Sequence, residues 1–166
     1  MSMVNSVSIL FAALAIFIFS AVASATPQPA DPLKAISGFW YTEGRDGGIQ
    51  FYPCGGKICG RFYWMKNKEG GNDEDGVSRD IHNPDSMLRR QPLCHMQFMS
   101  GFTPAEDNRY EDGLIYNPRD GQTYTAVMTL IDHNHVKLRG YLFFEFLGQS
   151  QIWTRAKSMP DCAASE

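Results

Sequence analysis

Gly38-Phe39-Trp40 and Trp153-Thr154-Arg155 bracket the part of this sequence that folds. The first word reads as an opening strand that offers an indole, and the second as a closing strand that ends in a guanidinium. If the two strands pair, the Arg155 guanidinium can lie over the Trp40 ring, a contact worth roughly 0.5 to 2 kcal/mol. A chain whose first and last strands meet has no open sheet edge. The bracket therefore predicts a small closed β-barrel, a container or a platform.

Between the two words, short apolar runs alternate with turn residues at close intervals, the pattern of an antiparallel meander. Strands are predicted near Gly38 to Thr42, Gly48 to Pro53, Lys57 to Met65, Leu93 to Phe102, Asp112 to Tyr116, Thr123 to Ile131, Val136 to Phe143 and Gln149 to Ala156. About eight strands suffice for an all-β, up-and-down antiparallel barrel, filled by its own side chains or hollow enough for one small ligand. The turns agree: in Asn117-Pro118-Arg119-Asp120-Gly121, Pro118 presets one φ and Gly121 supplies a positive one. One stretch breaks the meander. Lys66 to Asp80 is rich in Gly, Asp and Asn and reads as a long loop, followed by a single helical turn over Pro84 to Arg90 with Asn83 as its N-cap. This insertion between Met65 and Leu93 is the candidate lid. Asp80 and Asn83 are expected to cap its backbone, and Arg89 and Arg90 to anchor it through Asp80 or Asp85.

Alternation assigns the faces. Tyr124, Ala126, Met128 and Leu130 share one side of their strand, and Val136, Leu138, Gly140 and Leu142 one side of the next. With Phe51, Ile58, Met96 and their neighbours they make an apolar, aromatic interior, compatible with a filled core or with a cavity wall. The residues expected to line a pocket are Phe62, Trp64, Phe98, Tyr124, Met128 and Leu138. Trp40 and Arg155 are expected to latch one end, which directs any search for function to the other.

Outside the bracket, Ile9 to Phe19 is an unbroken apolar run followed by Ala23-Ser24-Ala25, the pattern of an export signal over residues 1–25. The run is shorter than the roughly 18 to 20 residues that cross a bilayer. Residues 26–32 form a Pro-rich linker, and residues 33–166 a single barrel domain. In an exported chain, Cys54, Cys59, Cys94 and Cys162 are expected as disulfides. Cys54-Gly-Gly-Lys-Ile-Cys59 reads as a hairpin whose cysteines share the outward face, which leaves Cys94 with Cys162. The net charge of −3 comes from dispersed signs without a basic stripe, so nucleic acid is not an expected partner.

Three constellations invite sharper readings. His133-x-His135 places two imidazoles on one strand face, but no third metal ligand is near in sequence, and a polar hairpin tip accounts for them. Asp73-Glu74-Asp75-Gly76 resembles part of a calcium loop, yet the 12-residue template would start on Gly71 and end on His82, neither a carboxylate. Asp80 and His82 could serve a hydrolase as orienter and base, but a nucleophile is missing. The sequence thus predicts no catalytic residue, no metal and no cofactor.

The words Gly38-Phe39-Trp40, Pro53-Cys54-Gly55-Gly56-x-x-Cys59-Gly60, Asp80-x-x-Asn83-Pro84, Ile115-Tyr116-Asn117-Pro118-x-Asp120-Gly121-x-x-Tyr124, Leu138-x-Gly140-Tyr141 and Trp153-Thr154-Arg155 occur in order. Together they resemble the exported bacterial family called domain of unknown function 2147, over nearly the whole folded region. The resemblance implies a barrel like those of lipocalins and fatty-acid-binding proteins, located in the periplasm of a Gram-negative envelope or secreted, with no established activity. It supplies no catalytic residue. The chain departs from the family at Cys94-His95, where a Gly usually follows the Leu. The expected role is binding of a small apolar or amphipathic ligand, with an envelope protein–protein interaction module as the alternative and a hydrolase a more distant one.

Overall fold

The computed structural model describes residues 31–66 and 77–165. The export-signal region, most of the Pro-rich linker and Asp73-Glu74-Asp75 lie outside the described residues. Eight strands, β1 (Gly38–Tyr41), β2 (Gly47–Cys54), β3 (Lys57–Met65), β4 (Gln97–Pro104), β5 (Arg109–Asn117), β6 (Gln122–Asp132), β7 (His135–Tyr141) and β8 (Gln149–Ala156), form a closed antiparallel barrel in sequence order. Closure is made where the two bracketing words meet. Trp40 pairs with Arg155 and Tyr41 with Thr154 across β1 and β8.

In an up-and-down barrel the connections alternate between two ends, and here the ends differ. One carries the short β2–β3, β4–β5 and β6–β7 turns. It also carries a helix, α1 (Pro32–Ile36), where the sequence pattern suggests only linker and barrel. Its signals are local: the Asp31 carboxylate accepts from the Leu33 N–H at 3.0 Å, and Pro32 stands in the first turn, where its missing N–H costs nothing. Ile36 is fully buried, its carbonyl accepts from Trp40 Nε1 at 2.9 Å, and the Tyr110 hydroxyl donates to the Pro32 carbonyl at 2.6 Å. The helix is thus bolted across the barrel end. The opposite end carries the connections 42–46, 66–96, 118–121 and 142–148, all but 118–121 longer than any turn at the first end.

The two disulfides form as the cysteine arithmetic predicts, Cys54–Cys59 across the β2–β3 hairpin and Cys94–Cys162 between the insertion and the C-terminal tail. Other expectations need correction. β4 begins at Gln97 rather than Leu93, because Met96 N–H turns back to the Leu93 carbonyl and His95 sits at φ 59°, outside any strand geometry. β5 begins earlier than Asp112, which itself occupies a bulge at φ 58°. β7 ends at Tyr141: residues 142–148 peel away into a loop with a 3₁₀ turn, Glu145–Leu147, held by Arg139 donating to the Glu145 and Phe146 carbonyls. Pro84 to Arg90 forms no helix. Asn83 Oδ1 takes the Asp85 N–H and Asp85 Oδ1 the Met87 N–H, two successive side-chain turns that compete with helical bonding.

The candidate site at the open end

Above the closed end lies a column of stacked groups. The Arg155 guanidinium carbon stands 4.1 Å from the Trp40 ring centre, Trp40 packs on Phe51 at 6.1 Å, and Phe51 stacks on Trp153 at 5.8 Å. Arg155 also donates to the carbonyls of Ala35, Ser37 and His133. Burial works against its charge, and these carbonyls and the indole face take the place of water. Gly38 at φ 120° leaves the room: a Cβ there would stand 3.3 Å from the guanidinium.

Trp153 is the top of this column and the floor of a cavity of about 1190 Å³. Phe62, Phe98, Ile115, Leu138 and Ile49 make the apolar wall, Phe62 and Phe98 stacked at 4.0 Å. Of the residues expected to line a pocket, Phe62, Phe98, Tyr124 and Leu138 do so, while Trp64 and Met128 do not. Trp64 is turned out by a bulge. Ile49 pairs with Phe62 but Gly48 with Trp64, so one extra residue on β3 reverses the alternation. Trp64 packs edge-on against Tyr41 on the outer wall, and Met65 takes the inward position. Met128 does face inward, but it lies deeper, fully buried beside Tyr110 in the filled part of the barrel.

The mouth is built from the longer connections. From the 42–46 connection, Asp46 accepts from Thr42 Oγ1 at 2.6 Å and meets Arg119 of the β5–β6 turn at 3.6 Å. In an eight-stranded ring these two connections lie on opposite sides, so this exposed ion pair spans the opening. The Thr42 hydroxyl first, then a backbone N–H hydrogen bond and Arg119, hold the Asp46 carboxyl below its ordinary range against desolvation. At Asp120, burial is the largest single influence and opposes ionisation. Hydrogen bonds from the Gln122 N–H, the Tyr124 hydroxyl and the Asn117 amide outweigh it and lower the pKa.

The insertion forms one side of the mouth, with His82 and Leu93 on the lining. Asp80, fully buried, accepts from the Tyr116 hydroxyl at 2.7 Å and from Asn83 Nδ2 at 2.6 Å. Burial, and then this carboxylate, push the Tyr116 hydroxyl well above the usual phenol range. Arg89 donates to the Asn83 carbonyl at 2.8 Å rather than to Asp80, and Arg90 is exposed. Gly121 (φ 69°) lets the segment dock, since a Cβ there would fall 2.1 Å from the His82 carbonyl oxygen. Across from the insertion the rim is apolar and bare: Leu142, Phe143, Phe144, Phe146 and Leu147 are exposed, Phe143 by 85%, and all but Phe146 line the cavity. The hydrophobic pattern alone continues the strand into this stretch; the signal for a rim is a run too apolar for a solvated turn.

A family model described as "Uncharacterized protein conserved in bacteria (DUF2147)" matches residues 38–155. No curated protein matches the chain. Among solved structures the chain is similar to one reported under the words "Protein HP1028 from the human pathogen Helicobacter pylori belongs to the lipocalin family". The identity is 19% and the TM-score 0.63, over 74% of this chain and 83% of that one. At that identity the likeness is one of fold, a lipocalin-like closed barrel.

Proposed function

The chain belongs to the DUF2147 family of proteins conserved in bacteria, and from that premise we propose that it is a non-enzymatic carrier of a small apolar or amphipathic molecule in the periplasm. The observation that carries this reading is the cavity of about 1190 Å³, above the roughly 300 to 1,000 Å³ of ordinary small-molecule sites, with an aromatic and aliphatic wall and polar groups gathered at the mouth. An apolar tail would sit between Phe62, Phe98 and Leu138 above Trp153. A polar end would remain near Tyr124 and Asp120. Trp40 and Arg155 would serve as the latch that keeps the other end shut, and the segment bearing Asp80, Asn83, Arg89 and Arg90 as the fixed side of a lid. Two disulfides suit an oxidising compartment. Among the described residues the lining has one imidazole, His82, with no serine or thiol beside it for a hydrolase to use.

Native mass spectrometry of the purified chain, with solvent extraction of whatever it carries, tests the reading. The expected result is a one-to-one adduct displaced by a fluorescent fatty acid. An empty barrel that also ignores the probe overturns it. A second reading is favoured by the exposed Phe143, Phe146 and Leu147: a rim of this kind suits docking to an envelope protein. Crosslinking in intact cells separates the two, since a solitary carrier yields no consistent partner.

A further inference from the structure

On the outer wall, away from the cavity, the C-terminal tail folds back over β2 and β3. Met159 covers Gly48, and Asp161 reaches Tyr63 and His95. There the Cys94–Cys162 disulfide lies beside His95 and Asp161, one donor atom from each of the four residues within 4.8 Å of the others. We propose that reduction of this disulfide converts the cluster into a metal site, in which the Cys94 and Cys162 thiolates, a His95 ring nitrogen and an Asp161 oxygen hold one zinc ion.

Several observations converge on it. Two thiolates, an imidazole and a carboxylate are the donors zinc takes, and four is its coordination number in closed structural sites. The donors come as two adjacent pairs, Cys94-His95 and Asp161-Cys162, and neighbouring side chains normally diverge. His95 escapes this by adopting φ 59°, a left-handed conformation uncommon for a residue with a Cβ, which the Phe62 carbonyl holds through the His95 N–H at 3.0 Å. Its Nε2 is shielded from solvent and faces Asp161 Oδ1 at 2.9 Å, outside regular hydrogen-bond geometry, so the ring nitrogen already points at the carboxylate it would share a metal ion with. Asp161 in turn accepts from the Ala163 N–H at 2.9 Å, an outer bond of the kind that orients a metal-binding carboxylate, and lies beside the Tyr63 hydroxyl. All four residues are half-buried, within reach of a small reductant and an ion. Among the described residues, the Cys54–Cys59 bridge belongs to no such group.

The chemistry balances with a dithiol as reductant. Its two electrons break the Sγ–Sγ bond, its two protons pass to the protein sulfurs, and it leaves as a disulfide. Zinc then displaces both thiol protons to solvent, and the sulfurs move apart to about 3.8 Å, as tetrahedral Zn–S bonds of about 2.3 Å require. One cross-link between the insertion and the tail replaces another. The disulfide closes a loop of sequence separation 68, which restricts the unfolded chain, and the metal would restore part of that constraint.

The test uses a Cys54→Ser/Cys59→Ser variant, so that a phosphine reductant, removed before titration, acts on one bridge only. Cobalt(II) serves as the coloured probe and zinc as its competitor. The reduced protein is expected to bind one equivalent with thiolate-to-cobalt charge-transfer bands, to release it to zinc, and to regain part of the Tm lost on reduction. The oxidised protein is expected to bind none. His95→Gln and Asp161→Asn, which keep the disulfide and its fold, should each weaken binding by at least about tenfold. No metal uptake by the reduced protein overturns the proposal. So does equal affinity in the His95→Gln and Asp161→Asn variants, or undiminished binding after Cys94→Ser/Cys162→Ser.

Discussion

At one end of the barrel Arg155, Trp40, Phe51 and Trp153 lie ring against ring, every buried polar atom of the stack answered by a backbone carbonyl or a glutamine. At the other end, some of the same sheet's inward positions face a cavity, and the mouth is crossed by an exposed ion pair. The same eight strands serve both, so the difference lies in the segments that join them. Short turns and a helix draw one end tight, and long connections hold the other apart. Stability should therefore be concentrated at the closed end and binding at the open end, and substitutions can separate the two.

The largest expected loss is at Trp40. Trp40→Ala removes a fully buried indole and its bond to the Ile36 carbonyl, and should cost about 3 to 5 kcal/mol in urea denaturation. Arg155→Met comes next. It leaves three carbonyls without their donor and removes the cation from the indole face, for about 2 to 3 kcal/mol by the same measurement. If either variant weakens ligand binding while leaving the denaturation midpoint in place, the division of labour fails.

Two glycines in one cross-strand row sharpen it further. Gly113, Ala126 and Gly140 pair in register across β5, β6 and β7. A Cβ on Gly113 would fall 2.1 Å from the Phe102 ring, so Gly113→Ala should cost about 1 to 3 kcal/mol by overpacking. A Cβ on Gly140 meets nothing, although Gly140 lines the cavity. Gly140→Leu should hold the midpoint within about 1 kcal/mol, helped by the entropy that glycine loses on folding. Affinity for a fluorescent fatty acid should fall at least about tenfold, the leucine occupying the ligand's space. Full affinity in Gly140→Leu would show that the ligand does not use the cavity.

Much of the closed end is legible in the sequence, because closure depends on residue types at the two ends of the chain. Trp40 and Arg155 announce their pairing, and most strands can be read from alternation between turn residues. The open end is less legible for reasons that can be named. Alternation assumes an unbroken register, and the bulge at Gly48 turns Trp64 outward without leaving a mark in the hydrophobic pattern. It also reports a side, not a depth, so Met128 and Leu138 look alike although only one reaches the cavity. α1 is signalled by Asp31-Pro32, a capping pair hidden in a stretch whose prolines read as linker. The apolar rim resembles strand in the sequence because only the departure of β7 from its neighbour at Tyr141 exposes it. His95 and Asp161 cannot be joined from sequence by any local period; the pairing of Cys94 with Cys162 is the one pointer.

The smallest expected effect concerns the ion pair and carboxylates at the mouth. Asp46 and Asp120 both have pKa values lowered by folding, so each contributes stability in full above the unfolded value near pH 4 and loses it as pH falls through the lower, folded value. Both groups are largely open to solvent, which keeps the contribution small. Acidification from pH 5 to pH 3 should loosen the mouth before β1 and β8. Amide exchange, corrected for its intrinsic pH dependence, should rise at 42–47 and 117–122 while β1 and β8 stay protected. Arg119→Gln should remove only the smaller, Arg119 share of the Asp46 part, the Thr42 bond remaining, and added salt should mimic it at neutral pH, because an exposed pair is screened within about 10 Å at 0.1 M. The fluorescent ligand should then associate and dissociate a few-fold faster, with little change in affinity, since the strap hinders passage but touches neither the apolar wall nor the floor. At the closed end the exposed Asp132, its pKa lowered first by His135, caps the β6–β7 turn whose His133 carbonyl takes Arg155, so exchange at 132–135 should rise with the mouth. A rise that begins at β1 and β8 would instead place the main acid-sensitive contacts in the closed end.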